Sequence, residues 1–319
     1  MEGQKQSLKS ILSTTVCIVG FGNQGSAQAE NLRDSGVSVV IGARKDGQSW
    51  EKASKAGFKV LEISEAIKAA AIVMWLLPDQ EIPKVFEKYQ TDLGGKLNGF
   101  SHGFALHFGL ISTDPAIRYF LAAPKGAGAI LRENYLSGEG LPGAFALGPH
   151  CGEDDRDLVV SYCHGIGIGR KLLIETSFQE ETECDLFGEQ AVLCGGIFQL
   201  MESAFEIMVR RGFSPEMAFL ECGYESLMIL KLWMKFGPSE LSKRISPTAF
   251  FGGSTRGPRI IDDEVRKKME VIMDEIQSGA FAKEWLAEID ADTPKLKAER
   301  SRLKDSAIEA AYQEVKKGL

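Results

Sequence analysis

Two pairs of carboxylates, each four residues apart in an apolar stretch, are the residues of this sequence best suited to holding metal ions. Asp185 and Glu189 lie in "ECDLFGEQAVLCGG", and Glu221 and Glu225 lie in "FLECGYESLMIL". Residues four apart share one face of a helix, where like charges repel each other. Carboxylate oxygens suit Mg²⁺, and two such ions would balance the charge of the four carboxylates.

The spacing of the paired carboxylates is also compatible with two roles that need no metal. Each pair could form salt bridges with nearby basic residues, or the two pairs could be exposed on unrelated helix faces. The basic residues in question are Lys231, Arg210 and Arg211. No histidine stands close to either pair, which argues against a zinc site.

A glycine-rich motif near the start of the sequence has the chemistry of a dinucleotide site. In "VCIVGFGNQG", Gly20, Gly22 and Gly25 form a G-x-G-x-x-G pattern between an apolar run and a helical stretch. Such glycines allow a tight turn and let a pyrophosphate approach the backbone at a helix N-terminus. In that context the motif predicts a nicotinamide dinucleotide site; a turn that binds nothing is the alternative.

The residues expected near the adenosine ribose favour NADP(H). An NAD site usually has an acidic residue about twenty positions after the glycine motif, whereas this sequence has Arg44 in "IGARKDGQSW". Arg44, Lys45 and Ser49 could hold a 2′-phosphate through charge-assisted hydrogen bonds. Asp46, in the same segment, argues for NADH, so NADPH is favoured without excluding NADH.

Two further polar residues follow predicted strands. His102 stands in "FSHGF" and Lys125 in "AAPKGAG". Because ligands of open α/β sheets bind at the carboxyl ends of the strands, both residues are candidates for chemistry there. The alternatives are a structural histidine and a solvated loop lysine.

The elements that must position these residues change character partway along the chain. Up to about residue 178, apolar runs alternate with helical patterns, which predicts a doubly wound, mostly parallel α/β sheet. The predicted strands are 15–20, 37–43, 71–77, 116–123 and 143–148, and the predicted helices are 24–35, 49–57 and 80–90. From 179 onwards only helical patterns occur, including a helix with Ser214 as N-cap, Pro215 first and Gly237 just past its end. We therefore expect two domains, 1–178 and 179–319.

The composition narrows the class of protein further. A net charge of −7 over 319 residues gives no support for a nucleic-acid or anionic membrane partner. The longest purely apolar run, 69–77, is too short to span a bilayer. Six cysteines stand singly, which is typical of free thiols in a reducing cytoplasm, and we expect no leader segment.

The apolar content of 190–236 indicates a second core or a subunit interface.

The chain resembles the ketol-acid reductoisomerase family in its short form. The resemblance covers nearly the whole chain and rests on motifs in the family's order. These are "GFGNQG", "GARKDGQSW", "LLPDQ", "FSHGF", "APKGAG", "ETECDLFGEQAVLCGG", "PEMAFLECGYE" and "ISPTAFFG". The resemblance implies a Rossmann-like NADP-binding domain and an all-helical domain threaded as a true knot, an exception to the usual rule.

The resemblance also implies the metal ligands. Asp185 would bridge two Mg²⁺ ions, Glu189 would complete the first site, and Glu221 with Glu225 would hold the second. Family members form dimers, or larger assemblies of dimers, in which each site takes the second glutamate pair and a serine from the partner. Ser246, in "RISPTA", matches that serine. The resemblance implies that it contacts the substrate carboxylate.

The remaining implied residues serve catalysis and cofactor binding. His102, Lys125 and Glu225 match the family's catalytic and metal-network positions. The implied contacts of the dinucleotide are Gly20, Phe21, Gly22, Asn23, Gln24, Gly25, Arg44, Ser49, Asp79, Gln80, Glu81, Ile82 and Gly128.

The implied reaction has two steps on one small-molecule substrate, a 2-hydroxy-3-oxo acid. A Mg²⁺-dependent 1,2-alkyl shift of 2-acetolactate or 2-aceto-2-hydroxybutyrate is followed by reduction with NADPH. The product is a 2,3-dihydroxy acid of valine and isoleucine synthesis. Glu225 is expected to exchange the proton, with His102 supporting the water network.

The motifs expected to face the substrate depart from the family pattern. "SPTAFFG" has Pro247 and Phe250 where the family commonly has Asn and Glu, and "LECGYESL" differs at Gly223 and Tyr224. One alternative is therefore a divergent paralogue acting on a related acid. The others are a plain NADP-dependent hydroxyacid dehydrogenase and a catalytically silent dinucleotide-binding dimer.

Overall fold

The chain forms two compact units, Met1–Thr182 and Glu183–Leu319, in a computed structural model that describes residues 8–112 and 114–318. The division falls within the helix Phe178–Phe187. The sequence predicts a boundary between 178 and 179, close to this division, and those domain limits stay a prediction.

The first unit contains one eight-stranded sheet. Its strands are β1 Thr15–Val19, β2 Ser38–Gly42, β3 Lys59–Leu61, β4 Ile72–Trp75, β5 Leu97–Phe100, β6 Arg118–Pro124, β7 Gly143–Leu147 and β8 Leu173–Glu175. The strand order is β3-β2-β1-β4-β5-β6-β7-β8, and all neighbours are parallel except β6 and β7. The doubly wound α/β class predicted from the sequence is confirmed.

Both faces of the sheet are buried, as a doubly wound sheet requires. In β1, Val16 and Ile18 belong to one hydrophobic core, whereas Cys17 and Val19 belong to the core on the other face. This alternation follows from the two-residue period of a strand, and it explains why the strand is apolar throughout.

The strands that carry the candidate site end at one level. Val19 at the end of β1 pairs with Gly42 of β2 and with Trp75 of β4, and Trp75 pairs with Phe100 of β5. The residues that follow these strands therefore lie side by side along the carboxyl edge of the sheet.

Three strands have no apolar run long enough to predict them: β3, β5 and β8. In β5 the reason is Gly99, because a Cβ there would lie 2.0 Å from Met74 Sδ and 2.3 Å from Phe120 Cζ. Its neighbour Asn98 is fully buried and accepts a hydrogen bond from Trp75 Nε1 at 3.3 Å. Packing in the core therefore selects Asn98 and Gly99 for β5, although Asn and Gly are more common in turns than in strands.

Among the residues of the first unit that the structure describes, seven α-helices flank the sheet. They are α1 Asn23–Asp34, α2 Gln48–Lys55, α3 Ile63–Lys68, α4 Ile82–Tyr89, α5 Phe104–His107, α6 Gly128–Ser137 and α7 Glu153–Ile166. The predicted helices 24–35, 49–57 and 80–90 correspond to α1, α2 and α4. Each of these three follows a strand of the parallel part of the sheet, as βαβ topology requires.

The second unit is helical throughout its described residues, apart from turns. Its helices are α8 Phe178–Phe187, which begins in the first unit, α9 Gly196–Arg210, α10 Pro215–Phe219, α11 Glu225–Ser242, α12 Pro247–Ile260, α13 Asp263–Gln277, α14 Ala280–Asp290, α15 Pro294–Lys304 and α16 Ala307–Lys316. Two π-helical turns, Gly188–Leu193 and Leu220–Tyr224, follow α8 and α10. The predicted knot stays a prediction.

The helix predicted over 214–237 begins as expected but is interrupted twice. Ser214 is its N-cap and accepts a hydrogen bond from Met217 N at 3.4 Å. The π turn separates α10 from α11, and Gly237 leaves the helical conformation (φ 74°, ψ 164°) inside α11. Gly237 therefore breaks the helix as predicted, but helical structure resumes at Pro238 and continues to Ser242.

A single chain leaves much of the apolar surface of the second unit exposed. The helical stretch Phe178–Arg210 has a window of mean hydropathy 1.5, of which only 6% is buried. By length and composition it meets the criteria for a membrane span. One such helix is weak evidence for a membrane, because helices that pack on another protein surface meet the same criteria.

Candidate active site

The glycine-rich turn joins β1 to α1, and its glycines are required for different reasons. Gly20 has φ +97°, and a Cβ there would lie 2.7 Å from the Leu76 carbonyl oxygen. A Cβ at Gly25 would lie 2.5 Å from the Gly20 carbonyl oxygen. At Gly22 a Cβ would meet no atom within 4 Å. The protein itself therefore needs glycine at 20 and 25, whereas Gly22 leaves its backbone open to a ligand.

Neighbouring segments support this turn. Gly128, the first residue of α6, lies so close to the turn that a Cβ would be 2.1 Å from the Asn23 carbonyl oxygen. The Phe21 N–H donates to Ser49 Oγ at 3.3 Å, which ties the turn to the start of α2. This arrangement of a turn and a helix N-terminus fits a dinucleotide pyrophosphate.

The segment between β2 and α2 presents its charged residues to solvent. Arg44, Lys45 and Asp46 are exposed, and Asp46 has the left-handed backbone angle φ 61°. Asp79 and Gln80 follow β4, and Ile82 begins α4 with its side chain buried. These residues lie beyond neighbouring strand ends, where the sequence places the dinucleotide.

Three side chains meet at the carboxyl edge of the sheet. Lys125 Nζ donates to Glu181 Oε1 at 2.8 Å, and His102 Nδ1 lies 3.2 Å from Glu181 Oε2. The Gly103 N–H donates to Glu181 Oε2 at 3.2 Å. Glu181 is only 4% exposed. The two loop residues predicted from the sequence are thus held together by one buried carboxylate.

Gly103 permits the close approach of the His102 loop to α8. A Cβ at Gly103 would lie 2.2 Å from Thr182 Oγ1 and 2.9 Å from the Phe178 carbonyl oxygen. Any larger residue would push the loop away from the helix and lengthen the Gly103–Glu181 hydrogen bond. Of the described residues, Thr182 Oγ1 is one of few fully buried polar atoms without a hydrogen bond.

The charge of Glu181 is set by two opposing effects. Burial raises the pKa of its carboxyl, but hydrogen bonding and charge from His102 and Lys125 outweigh burial and lower the pKa below its ordinary value. Glu181 is therefore ionised at neutral pH and fixes the orientation of both partners. If His102 Nδ1 donates to this carboxylate, the neutral ring has its lone pair on Nε2.

Sequence reasoning missed Glu181, although a signal for it existed. Glu181, Asp185 and Glu189 are spaced four apart, so a third carboxylate extends the pair that drew attention first. In an unbroken α-helix all three would lie along one stripe.

Both carboxylate pairs lie at junctions between α-helix and π turn. Asp185 is in α8 and partly buried, and Glu189 is exposed in the first π turn. Glu221 lies in the second π turn, and Glu225 is the first residue of α11. A π turn closes i→i+5 hydrogen bonds, and such turns occur frequently at functional sites.

The donor set of these pairs fits a hard cation such as Mg²⁺, because all four ligands are carboxylates. The salt-bridge alternative stays a prediction, since Asp185 and Glu189 each interact with another group. Glu221 and Glu225 are exposed in the single chain, as the alternative of separate solvated faces also requires.

Ser246 has a structural role in the single chain. It is the N-cap of α12, and its Oγ accepts a hydrogen bond from Ala249 N at 3.1 Å. Ser246 and Phe250 are both exposed, and Pro247 is the first residue of the helix. The contact of Ser246 with the substrate carboxylate stays a prediction.

The fold and the glycine-rich turn define a nicotinamide-dinucleotide-dependent oxidoreductase. Residues 10–171 match the family model for the NADPH-binding domain of acetohydroxy acid isomeroreductase, and residues 178–319 match that for the C-terminal domain of ketol-acid reductoisomerase. The chain belongs to the ketol-acid reductoisomerase family, whose members act in branched-chain amino acid synthesis. The resemblance stated from the motifs is confirmed.

Solved structures agree with this membership. An NADH-preferring ketol-acid reductoisomerase from an uncultured archaeon is 36% identical, with a TM-score of 0.92 over 96% of this chain and 95% of that one. A semialdehyde dehydrogenase NAD-binding protein from Cupriavidus necator is 19% identical, with a TM-score of 0.65 over 83% of this chain and 99% of that one. A pyrroline-5-carboxylate reductase from Coxiella burnetii is 16% identical, with a TM-score of 0.58 over 84% and 98%. The last two share the fold alone.

Proposed function

We propose that this enzyme converts 2-acetolactate or 2-aceto-2-hydroxybutyrate to the corresponding 2,3-dihydroxy acid, with NADPH and two Mg²⁺ ions. The observation that carries the proposal is the buried Glu181 carboxylate, which holds His102 and Lys125 beside the glycine-rich turn. Two further carboxylates, Asp185 and Glu189, follow Glu181 along the same run of helix.

The proposed division of labour follows from the chemistry of each group. Asp185, Glu189, Glu221 and Glu225 hold the cations, which supply Lewis-acid polarisation of the substrate oxygens when bound, as the nicotinamide supplies the hydride. Lys125 Nζ donates to Glu181 and places positive charge near the substrate oxygens. His102 orders water through its second ring nitrogen, and Glu225 exchanges the substrate proton. Ser246 contacts the substrate carboxylate.

Substitutions of the carboxylates test the metal assignment. Asp185→Asn and Glu225→Gln should each abolish Mg²⁺-dependent turnover of 2-acetolactate while leaving NADPH binding intact. Glu180→Gln is the matched control, because Glu180 is exposed on the same helix as Asp185 but lies outside the 181–185–189 series. Retained turnover in either of the first two variants would contradict the assignment.

The preference for NADPH rests on Arg44 and Lys45, which are exposed at the end of β2 beside Ser49. A guanidinium can bind a phosphate with two hydrogen bonds. The NADPH-binding domain of the family model and the NADH-preferring archaeal structure together support use of NAD(P)H, so both nucleotides must be measured. Arg44→Ala should raise the KM for NADPH and leave the KM for NADH nearly unchanged; an unchanged KM for NADPH would refute the preference.

We further propose that two copies of the chain associate through the second unit. Its exposed apolar side chains form a far larger set than a monomer normally leaves in water. They include Phe198, Leu200, Ile207, Phe213, Leu227, Leu230, Trp233, Met234, Phe250 and Phe251. In such a dimer, the exposed Glu221 and Glu225 of one copy would complete a metal site with Asp185 and Glu189 of the other. The six free cysteines agree with a reducing cytoplasm as the proposed location.

A further inference from the structure

A fully buried amide, Gln28, connects the glycine-rich turn with the two loops that carry His102 and Lys125. Gln28 lies on α1 and is 0% exposed. Its Nε2 donates to Ser101 Oγ at 2.8 Å and to Gln24 Oε1 at 3.1 Å. Its Oε1 accepts from Tyr162 Oη at 2.6 Å. Every hydrogen-bonding atom of this side chain is therefore used.

The direction of these hydrogen bonds follows from one group that can only accept. Gln24 Nε2 lies 3.0 Å from the Gly126 carbonyl oxygen, so Gln24 must present its amide nitrogen there. The Oε1 of Gln24 then faces Gln28, so the Gln28 amide nitrogen must donate the hydrogen bond between them. Gln28 Oε1 is left facing Tyr162, whose hydroxyl must donate.

Tyr162 anchors the far end of this chain of bonds in the core. It lies on α7 and is fully buried, and its ring packs edge-on against Phe120 with centroids 5.7 Å apart. Burial raises the pKa of its hydroxyl well above the ordinary value. The hydroxyl keeps its proton at neutral pH, so the donated bond persists.

The other ends of the network lie next to proposed site residues. Ser101 precedes His102, Gly126 follows Lys125, and Gln24 belongs to the glycine-rich turn. One buried amide thus joins three segments that meet at the carboxyl edge of the sheet. A second buried amide on the same helix, Asn31, bonds instead to Ile166 O at 2.9 Å and to Arg132 Nη1 at 2.8 Å, with no link to those loops.

We propose that Gln28 is a positioning residue, which couples the dinucleotide turn to the alignment of the His102 and Lys125 loops. This inference rests on the proposed roles of His102 and Lys125. Gln28 is fully buried, so it would act through its hydrogen-bond partners Ser101 and Gln24. Its loss should therefore alter both cofactor affinity and turnover, since small displacements of reacting groups lower rates strongly.

The test compares Gln28→Met with Asn31→Leu in the full-length enzyme. Both variants replace a buried amide of α1 by an apolar side chain, and both should lower the melting temperature. Gln28→Met should also lower kcat about ten- to a hundredfold and weaken NADPH binding, measured by titration calorimetry. Asn31→Leu should leave kcat and the NADPH Kd within about twofold of the wild type.

A third variant keeps the test decisive if Gln28→Met does not fold. Ser101→Ala removes one hydroxyl of the network and should lower kcat with little change in the NADPH Kd. Equal kcat and Kd values for Gln28→Met and Asn31→Leu, or an unchanged kcat in Ser101→Ala, would overturn the proposal. If the wild type turned over no 2-hydroxy-3-oxo acid, the proposed function would fail, while the comparison of NADPH Kd values would still decide the role of Gln28.

Discussion

At the scale of single residues, the site depends on one buried carboxylate that binds both Lys125 and His102. Glu181 accepts hydrogen bonds from Lys125 and from the Gly103 backbone and contacts His102. Breaking a buried charged hydrogen bond costs more than breaking an exposed one, because the remaining partner loses its compensation. Glu181 should therefore affect both stability and catalysis.

Glu181→Gln tests this at two pH values. The variant keeps the shape but not the charge, so it should be less stable by about 1–3 kcal/mol and have a kcat lower by about a hundredfold. Because the pKa of Glu181 is lowered in the fold, its stabilisation is complete above the unfolded value of 4.5 and is lost as pH falls through the folded value.

The measurement is the difference in melting temperature between the wild type and Glu181→Gln from pH 7 to below 4.5. This difference should stay constant from pH 7 down to 4.5 and should narrow only below 4.5, whereas Glu180→Gln should show little difference at any pH. A difference that stays constant below pH 4.5 would contradict the ionised role of Glu181.

The glycines of the turn separate ligand binding from folding. Gly22→Ala places a methyl group where the protein has no atom within 4 Å, so the melting temperature should stay within a few degrees of the wild type while NADPH binding weakens at least tenfold. Gly25→Ala drives a Cβ to 2.5 Å from Gly20 O and should lower stability by about 1–3 kcal/mol. Calorimetric titration measures NADPH binding, and thermal unfolding measures the stability of both variants. An NADPH affinity of Gly22→Ala equal to that of the wild type would contradict the proposed pyrophosphate position.

At the scale of elements, helices of the second unit deviate from regular geometry beside the proposed ligands. The spacing of four is visible in the sequence, but the π turns at Gly188–Leu193 and Leu220–Tyr224 are not, because helical periodicity does not distinguish the two helix types. The same limit hid β5, where packing on Met74 and Phe120 selects a glycine. Local patterns predicted the long elements and missed those that tertiary packing dictates.

The kink in α11 offers an element-scale prediction. Gly237 has φ 74° and ψ 164°, a conformation that side chains with a Cβ rarely adopt. Gly237→Ala should lower the free energy of unfolding by about 1–3 kcal/mol, measured by urea denaturation. Gly188→Ala is the control, since a Cβ there meets no atom within 4 Å and its φ is not positive. Equal stability of the two variants would show that the kink is not strained.

At the scale of the whole molecule, motifs in the sequence predicted the fold class and the family, which local helix and strand patterns alone do not give. The fold class and family followed from motifs such as "GFGNQG" and "ETECDLFGEQAVLCGG", which are specific because they combine unusual residues at set distances. Glu181 and Gln28 were not predicted as site residues, because their roles depend on loops distant in sequence. Contacts such as Tyr162 to Gln28 exist only in the folded chain.

The exposed apolar surface of the second unit predicts self-association. Light scattering should give a mass of at least twice the 34.9 kDa of one chain. Met234→Lys, at a side chain 82% exposed, should weaken association at least tenfold, whereas Leu136→Lys, at a side chain 65% exposed on α6, should leave the mass unchanged. A monomeric wild type at micromolar concentration would contradict the proposed dimer.

The product formed from 2-acetolactate decides between the proposed two-step reaction and simple reduction. Incubation of the wild type with 2-acetolactate, NADPH and Mg²⁺, followed by NMR of the product, shows whether the methyl group has moved. A methyl shift before reduction gives 2,3-dihydroxy-3-methylbutanoate, which is the predicted product, and its formation should cease when Mg²⁺ is chelated. Formation of 2,3-dihydroxy-2-methylbutanoate, in which the methyl group has not moved, would contradict the proposed reaction and indicate a plain dehydrogenase.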